Sequence, residues 1–239
     1  MLTIVTWLWQ QPGFRTTYTA ETVLAARDMV KKHYHDPHRF VCVTDMNIPG
    51  IETIPLGNQF ADLSNPTWKN GPSCYRRLIA FKADAEKIFG KRILSLDLDV
   101  ILFDDVTSLW NRKEPVVFLS GESVPVPYCG AMWLLTAGSR PQVWNLFDPI
   151  ESPKRTTEAR LRGSDQAWFA YVLGRHKEAT WPCKDEIITF NTYVKKTKKR
   201  PIPKPPCKIM FFNGNSKPWD KSVRMQYKWV KENYPYEQR

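Results

Sequence analysis

Asp97-Leu98-Asp99 is the sharpest chemical feature of the chain. Two carboxylates one residue apart interrupt a strongly apolar run, Arg92 to Phe103. In a regular strand they would share a face, and at a bend one would bind directly and the other through water. So few hard oxygen ligands suit Mg²⁺ or Mn²⁺, ions that complete their shell with phosphate oxygens. A D-x-D pair is also what a solvated strand end looks like, so the elements around it decide its meaning.

Those elements read as an α/β sheet. The opening LTIVTWLW is β-prone, and helical spacing follows, with Val23, Leu24, Ala26 and Val30 on one face. A second strand, Phe40 to Val43, ends at Thr44-Asp45, and a short one fits Ile51 to Leu56. Strand, helix, strand with polar residues at strand ends is the pattern of a sheet that binds ligands at its carboxyl edge. The spacing predicts a helix over Cys74 to Ile88 capped by Ser73, then the apolar strand 92 to 103. Strands fit Val116 to Ser120 and Ala131 to Thr136, and a helix fits Pro141 to Phe147. Residues 151 to 163 read as a polar loop, and Ser164 to Leu173 as a helix capped by Ser164. Lys208 to Phe212 fits a last strand, and Val223, Tyr227 and Val230 recur at helical spacing.

The chain has 239 residues, 42% hydrophobic and 25% charged, enough to bury a core and too apolar for disorder. One domain over 1–239 is the expectation. No apolar run nears the roughly 18 residues of a spanning helix, and the start lacks a basic n-region, so a soluble cytoplasmic protein is expected. Five widely spaced cysteines without a C-x-x-C pair argue for reduced thiols. The net charge of +11 is segregated: residues 190 to 239 carry 13 Lys and Arg against three acids, a balance of +10. They include the Pro-rich segment 194–208, expected to be extended and solvated, and the basic tail 220–239. Such a face attracts a polyanion. Trp7, Trp9, Trp68 and Trp219 stand in loop or motif contexts where an indole can stack on a base or sugar.

Four segments then line up in order. Tyr75-Arg76-Arg77-Leu78 with Lys91-Arg92-Ile93-Leu94-Ser95-Leu96-Asp97-Leu98-Asp99-Val100 resembles the R-L … L-D-x-D signature of nucleotide-sugar glycosyltransferases of the single-domain GT-A fold, a Rossmann-like mixed central sheet flanked by helices. The likeness is to the glycogenin-like retaining family and to divergent phage-type enzymes. Tyr128-Cys129-Gly130-Ala131-Met132 is similar to that family's F-N-x-G-v-m turn, and Gly163-Ser164-Asp165-Gln166 to its D-Q helix start. Phe211-Phe212-Asn213-Gly214-Asn215-Ser216-Lys217-Pro218-Trp219 is similar to its H-F-x-G-x-x-K-P-W segment.

The resemblance implies a divalent ion on Asp97 and Asp99 bridging the phosphates of a UDP-sugar, with Lys217 beside Gly214 as a further positive contact. Arg77 would reach the donor, Asp165 and Gln166 would line the sugar pocket as the catalytic pair, and Thr6 and Asp45 are the nucleoside candidates. Two positions depart from the pattern. The family's metal-binding His is Phe211 here, with Asn213, two residues later in the same loop, as the candidate to supply an amide oxygen as third ligand, and the turn's Asn is Tyr128.

For the acceptor, the +10 segment points to DNA carrying a hydroxymethylated pyrimidine, held at Lys195, Lys196, Lys198, Lys199 and Arg200 and offering its base flipped out. The alternatives are a lipopolysaccharide or other surface glycan, and an inactive nucleic-acid-binding module. On this reading Asp99→Ala abolishes transfer with little loss of fold. Charge reversal at Lys198, Lys199 and Arg200 is expected to weaken DNA binding and flatten its dependence on salt, measured as the slope of log affinity against log salt. An unchanged slope would remove the segment from a DNA site.

Overall fold

The protein was analysed as a computed structural model, which describes residues 1–10, 18–68, 71–197 and 201–236. Its strands are β1 (Leu2–Trp7), β2 (His38–Val43), β3 (Glu52–Ile54), β4 (Arg92–Leu96), β5 (Val100–Leu102), β6 (Val116–Ser123), β7 (Val126–Thr136), β8 (Ala179–Trp181), β9 (Ile187–Thr189) and β10 (Ile209–Phe211). Its α-helices are α1 (Ala20–His33), α2 (Glu86–Phe89), α3 (Thr107–Trp110), α4 (Gln142–Asn145), α5 (Glu151–Glu158), α6 (Asp165–Leu173), α7 (Phe190–Lys196), α8 (Lys221–Gln226) and α9 (Lys228–Asn233). The chain divides into two compact units. Met1–Thr17, Pro37–Leu96 and Lys113–Trp181 form the first, and Tyr18–Asp36, Asp97–Arg112 and Pro182–Arg239 the second.

The first unit is built on a seven-stranded mixed sheet in the order β3-β2-β1-β4-β7-β6-β8. Strands β2 and β4 flank β1 in parallel, so the chain leaves β1 in both directions and creates the switch point at which such sheets bind ligands. An aromatic column holds the core together. Phe81 packs 5.2 Å from Trp133 and 5.0 Å from Phe169, and Phe118 packs 5.2 Å from Phe169 and 4.6 Å from Tyr128. Offset and tilted pairs at these spacings add to the gain from burying the rings. Helix α6 is apolar nearly all round, as a helix buried on most of its surface must be.

The second unit has a three-stranded sheet, β5-β10-β9, in which β10 runs antiparallel to β5 and parallel to β9. Phe190 stacks on Phe212 at 4.6 Å and meets Tyr227 edge-on at 5.2 Å. Val223, Tyr227 and Val230 are buried as their spacing predicted, but on two short helices, α8 and α9, that break at Tyr227.

Several elements differ from the sequence reading. The run 92 to 103 is two strands in different sheets, separated by a bend over 97–99, because strands buried on both faces give a continuous apolar pattern that hides where one ends. The helix expected over 74 to 88 is a 3₁₀ helix, Tyr75–Phe81, followed by the single turn of α2. Three residues per turn stack Tyr75, Leu78 and Phe81 in one line toward the core, and Lys82 leaves the helix at ψ 147. The expected polar loop contains α5. Asp148 Oδ1 accepts the N–H groups of Ile150 and Glu151, Pro153 falls in the first turn where its missing N–H costs nothing, and Ser152 and Thr156 bury one face. Ser164 precedes α6 without capping it, because its hydroxyl accepts the Cys74 N–H at 2.8 Å instead.

The Pro-rich segment is not solvated throughout. Ile202 and Cys207 are buried, Trp229 Nε1 donates to Ile202 O at 3.2 Å and Tyr193 donates to Pro203 O at 3.0 Å. Lys198, Lys199 and Arg200 lie outside the described residues, while Lys195 and Lys196 are exposed in the last turn of α7. In the tail, Arg224 is buried and donates to the carbonyls of Tyr234 and Tyr236 at 3.0 and 2.9 Å, so part of its charge serves the fold. Among the described residues no helix is long and apolar enough to cross a membrane.

Because Phe169 joins α6 to the rings of Phe81, Phe118 and Trp133, Phe169→Ala is expected to cost about 3–5 kcal/mol in urea unfolding. A loss below about 1 kcal/mol would mean that the column relaxes to fill the space.

Candidate functional site

The predicted residues fall in both units, and each unit holds its own buried ion pair. In the first unit the pair is Arg77 with Asp165. Arg77 Nε and Nη2 reach Asp165 Oδ2 at 2.8 and 2.7 Å, and Nη1 donates to Gly130 O at 3.0 Å. Both side chains are almost fully buried, at 5% and 3% exposed. Burial pushes the Asp165 carboxyl up, and the guanidinium opposes that rise. Asp165 Oδ1 also accepts the N–H of Gln166 at 2.9 Å, and Gln166 Oε1 accepts the Gly130 N–H at 3.2 Å.

Gly130 makes this arrangement possible. A Cβ there would stand 2.7 Å from Arg77 Nη2, so only glycine lets β7 approach the pair. The segment expected as a turn is instead strand β7, whose pairing with β6 jumps from Phe118↔Trp133 to Leu119↔Cys129. The residues between are an irregularity of the kind that re-aims a strand beside a site. Tyr128 is buried in the strand. Its hydroxyl donates to Gly174 O at 2.8 Å and accepts the N–H groups of Lys177 and Glu178.

The other first-unit candidates lie on β1 and at the carboxyl edge of β2. Thr6 is fully buried with its hydroxyl donating to Val41 O at 3.3 Å, so the sheet uses it. Asp45 is exposed beyond β2, with Oδ1 accepting the Leu56 N–H at 3.1 Å and Oδ2 3.9 Å from Arg76 Nη2. Arg76 was not singled out by the sequence reading. It is 9% exposed, donates to Gly57 O, lies 5.9 Å from the Trp9 ring centroid, and among the described residues its Nε has no hydrogen-bond partner. Burial lowers its pKa while Asp45 and Asp62 oppose the change. Two consecutive arginines in an apolar helix were the available signal. Arg77, expected to reach a donor, spends its fork on Asp165 and Gly130.

In the second unit the D-x-D bend carries the other pair. Asp99 is buried, and its Oδ2 is bound by the Lys217 ammonium and accepts the Tyr18 hydroxyl at 3.3 Å. Lys217 Nζ also donates to Phe212 O at 2.9 Å, and the Phe212 N–H donates to Asp99 O at 2.8 Å. Asp97 is half-buried. Trp219 is buried, edge-on to Tyr18 at 5.5 Å, and is therefore packing. Gly214 has φ +87, and Asn213 is exposed with its carbonyl accepting Asn191 Nδ2 at 2.7 Å. Phe211 is core, opposite Val100 in the β10–β5 ladder. Tyr18 had no signature in the sequence.

No protein-family profile matches the chain, and no curated protein matches it. Solved structures do. The galactosyltransferase LgtC, crystallised with donor and acceptor sugar analogues, is similar with a TM-score of 0.60 and 14% identity over 99% of this chain and 98% of its own. GlyE of Streptococcus pneumoniae TIGR4 gives 0.56 and 12% over 100% of this chain and 66% of its own. Mouse xyloside xylosyltransferase 1 gives 0.51 and 12% over 90% and 97%. The chain has the fold of GT-A-type glycosyltransferases.

The pair at Asp99 alters the expectation for its alanine variant. Asp99→Ala leaves the Lys217 ammonium buried without its carboxylate, so a stability loss of about 3–5 kcal/mol is expected alongside any loss of activity. Adding Lys217→Met should recover much of that loss, and a double-mutant cycle in urea should show coupling above about 1 kcal/mol. Additive losses would mean that the two groups do not depend on each other.

Proposed function

We propose that the chain is a glycosyltransferase that moves a sugar from a UDP-sugar to an acceptor hydroxyl, in the manner of the glycogenin-like retaining family. The observation that carries this reading is the GT-A-type fold with a D-x-D pair at the bend after β4 and the K-P-W lysine seated on its second carboxylate. The acceptor oxygen bonds to the anomeric carbon as that carbon's bond to the diphosphate breaks. The electron pair stays with the diphosphate, and the hydroxyl proton passes to it or to water.

The D-x-D carboxylates are hard oxygen donors of the type a divalent ion takes, although Asp99 Oδ2 is already bound by Lys217 and Tyr18. Among the described residues no three His, Cys, Asp or Glu side chains gather at one point; on this reading Asp97 and Asp99 would hold the ion, with the Asn213 amide as a third ligand. Mg²⁺ and Mn²⁺ that keep phosphate oxygens and water need no more. When bound, the ion neutralises charge on the departing diphosphate. Lys217 adds a fixed positive charge in a dry setting, where it acts more strongly than in water. Half-buried Gln166 is the residue of the expected catalytic pair that can reach sugar hydroxyls, while Asp165, buried with both oxygens engaged, acts by positioning it. Arg77 is the positioning residue that holds Asp165 in place through its guanidinium, while Arg76 and Asp45 serve the nucleoside end. Five free thiols support a cytoplasmic setting.

Two acceptors each have support. The +10 balance of residues 190 to 239 favours DNA with hydroxymethylated pyrimidines, and the acceptor sugar analogue bound by LgtC favours a saccharide, such as the surface glycan of the alternative reading. Release of UDP from a panel of UDP-sugars, with Mn²⁺ and with EDTA, tests the donor half. Expected is release that EDTA suppresses and that Asp99→Asn reduces at least tenfold. No release with any donor would overturn the enzyme reading in favour of a binding module. Radiolabel transferred to hydroxymethylcytosine or hydroxymethyluracil DNA, and not to unmodified DNA or oligosaccharides, decides for DNA; the reverse decides for a glycan.

A further inference from the structure

The first unit carries a groove of about 680 Å³ that the reading above does not use. Trp68, Thr67, Arg160, Leu161 and Arg162 line it. Trp68 is 53% exposed, on a loop that is closed by the Asn65 N–H donating to Gly71 O at 2.8 Å and by Asn65 Oδ1 accepting the Thr67 N–H at 2.9 Å. A half-exposed indole held this way presents an apolar face to solvent at low entropic cost.

Arg160 ends α5 in an unusual manner. Its N–H donates to Thr157 O and the Leu161 N–H donates to Thr156 O, both at 2.9 Å, which is the double bond of a Schellman cap. The residue at that point must adopt a left-handed conformation, and glycine usually supplies it. Here it is arginine at φ 55. A strained non-glycine residue at the rim of a groove points to a use for its side chain. Two residues on, the Arg162 N–H donates to Pro125 O at 2.8 Å and its carbonyl accepts Gln166 Nε2 at 3.1 Å, while the Gly163 N–H donates to Thr67 Oγ1 at 2.8 Å. The groove wall is therefore hydrogen-bonded to Gln166, the residue assigned to the sugar.

We propose that this groove is the acceptor subsite and that the acceptor is an anionic saccharide, its ring on Trp68 and its phosphate or carboxylate between Arg160 and Arg162. The proposal rests on the sugar-transfer reading. Both guanidiniums are exposed, two positions apart, and among the described residues neither is held by a carboxylate. Two like charges at that spacing, with donors suited to forked hydrogen bonds, favour one compact anion. Duplex DNA, which engages about 6–10 phosphates, asks for a longer track of cations than two arginines provide.

The test is titration of the full chain, followed by intrinsic tryptophan fluorescence, with glucose and galactose, their 6-phosphates, their uronic acids and a ten-residue oligothymidylate. Expected is at least tenfold tighter binding of the 6-phosphates or the uronates than of the neutral hexoses, the two series deciding between phosphate and carboxylate. Arg160→Gly should abolish that preference while the melting temperature stays level or rises, since glycine accepts φ 55 without strain. Trp68→Ala should weaken charged and neutral sugars alike. Equal binding of charged and neutral hexoses, absence of binding, or a preference that survives Arg160→Gly overturns the proposal, as does tighter binding of the oligothymidylate than of any sugar. Measuring UDP release by the wild type without acceptor separates the two readings: an anion preference without any donor turnover would leave the groove standing and remove the transferase.

Discussion

A charge taken out of water has to meet its opposite, and the Arg77–Asp165 pair places that demand at the centre of the first unit. Meeting it fixes several features together. The 3₁₀ helix sets Arg77 on its buried side, the start of α6 delivers Asp165, and β7 has to offer a residue without a Cβ where the guanidinium passes. The bulged pairing of β7 against β6 follows from bringing Gly130 to that spot while Trp133 and Tyr128 stay in the aromatic column. Gln166 then takes its position from the same strand, through the Gly130 N–H.

The second unit solves the same problem with different parts. Lys217 meets Asp99, and the backbone between Asp99 and Phe212 is closed by one hydrogen bond and by the lysine's contact to the Phe212 carbonyl. Phe211 is a core phenylalanine on β10. Its ring contributes burial to the sheet, and the neighbouring lysine supplies positive charge at the carboxylate. Tyr18 donates to Asp99 and packs edge-on against Trp219, and both charged groups are buried, where electrostatic contacts are stronger than in water.

Much of the fold was legible because it depends on short-range pattern. The strands around Ile4, Val41, Leu94, Phe118 and Leu134, the helix from Ala20 and the last strand at Met210 stand where alternation or apolar runs put them. The pattern misled where two elements share one signature. A doubly buried run concealed the change of sheet at Asp97, and a polar stretch concealed α5, whose hydrophilic outer face reads like a loop. The prolines of 201–206 suggested a solvated segment, yet Trp229 and Tyr193 bind its carbonyls. Nothing local in a proline-rich sequence reports on partners 10 and 27 residues away.

The sequence by itself determined the α/β class, the order of the chemical residues and the D-x-D, D-Q and K-P-W segments whose likeness pointed to the GT-A fold. Only the tertiary structure decided which charges meet. Arg77 and Asp165 are 88 positions apart and Asp99 and Lys217 are 118, separations over which no periodicity carries information. It also decided that Arg77 spends its fork inside the protein, that Thr6 is used by the sheet, and that Tyr18 joins the carboxylate. The reason is physical: residue patterns encode which face is buried, whereas the partner of a buried charge is set by the packing of elements that are distant in the chain.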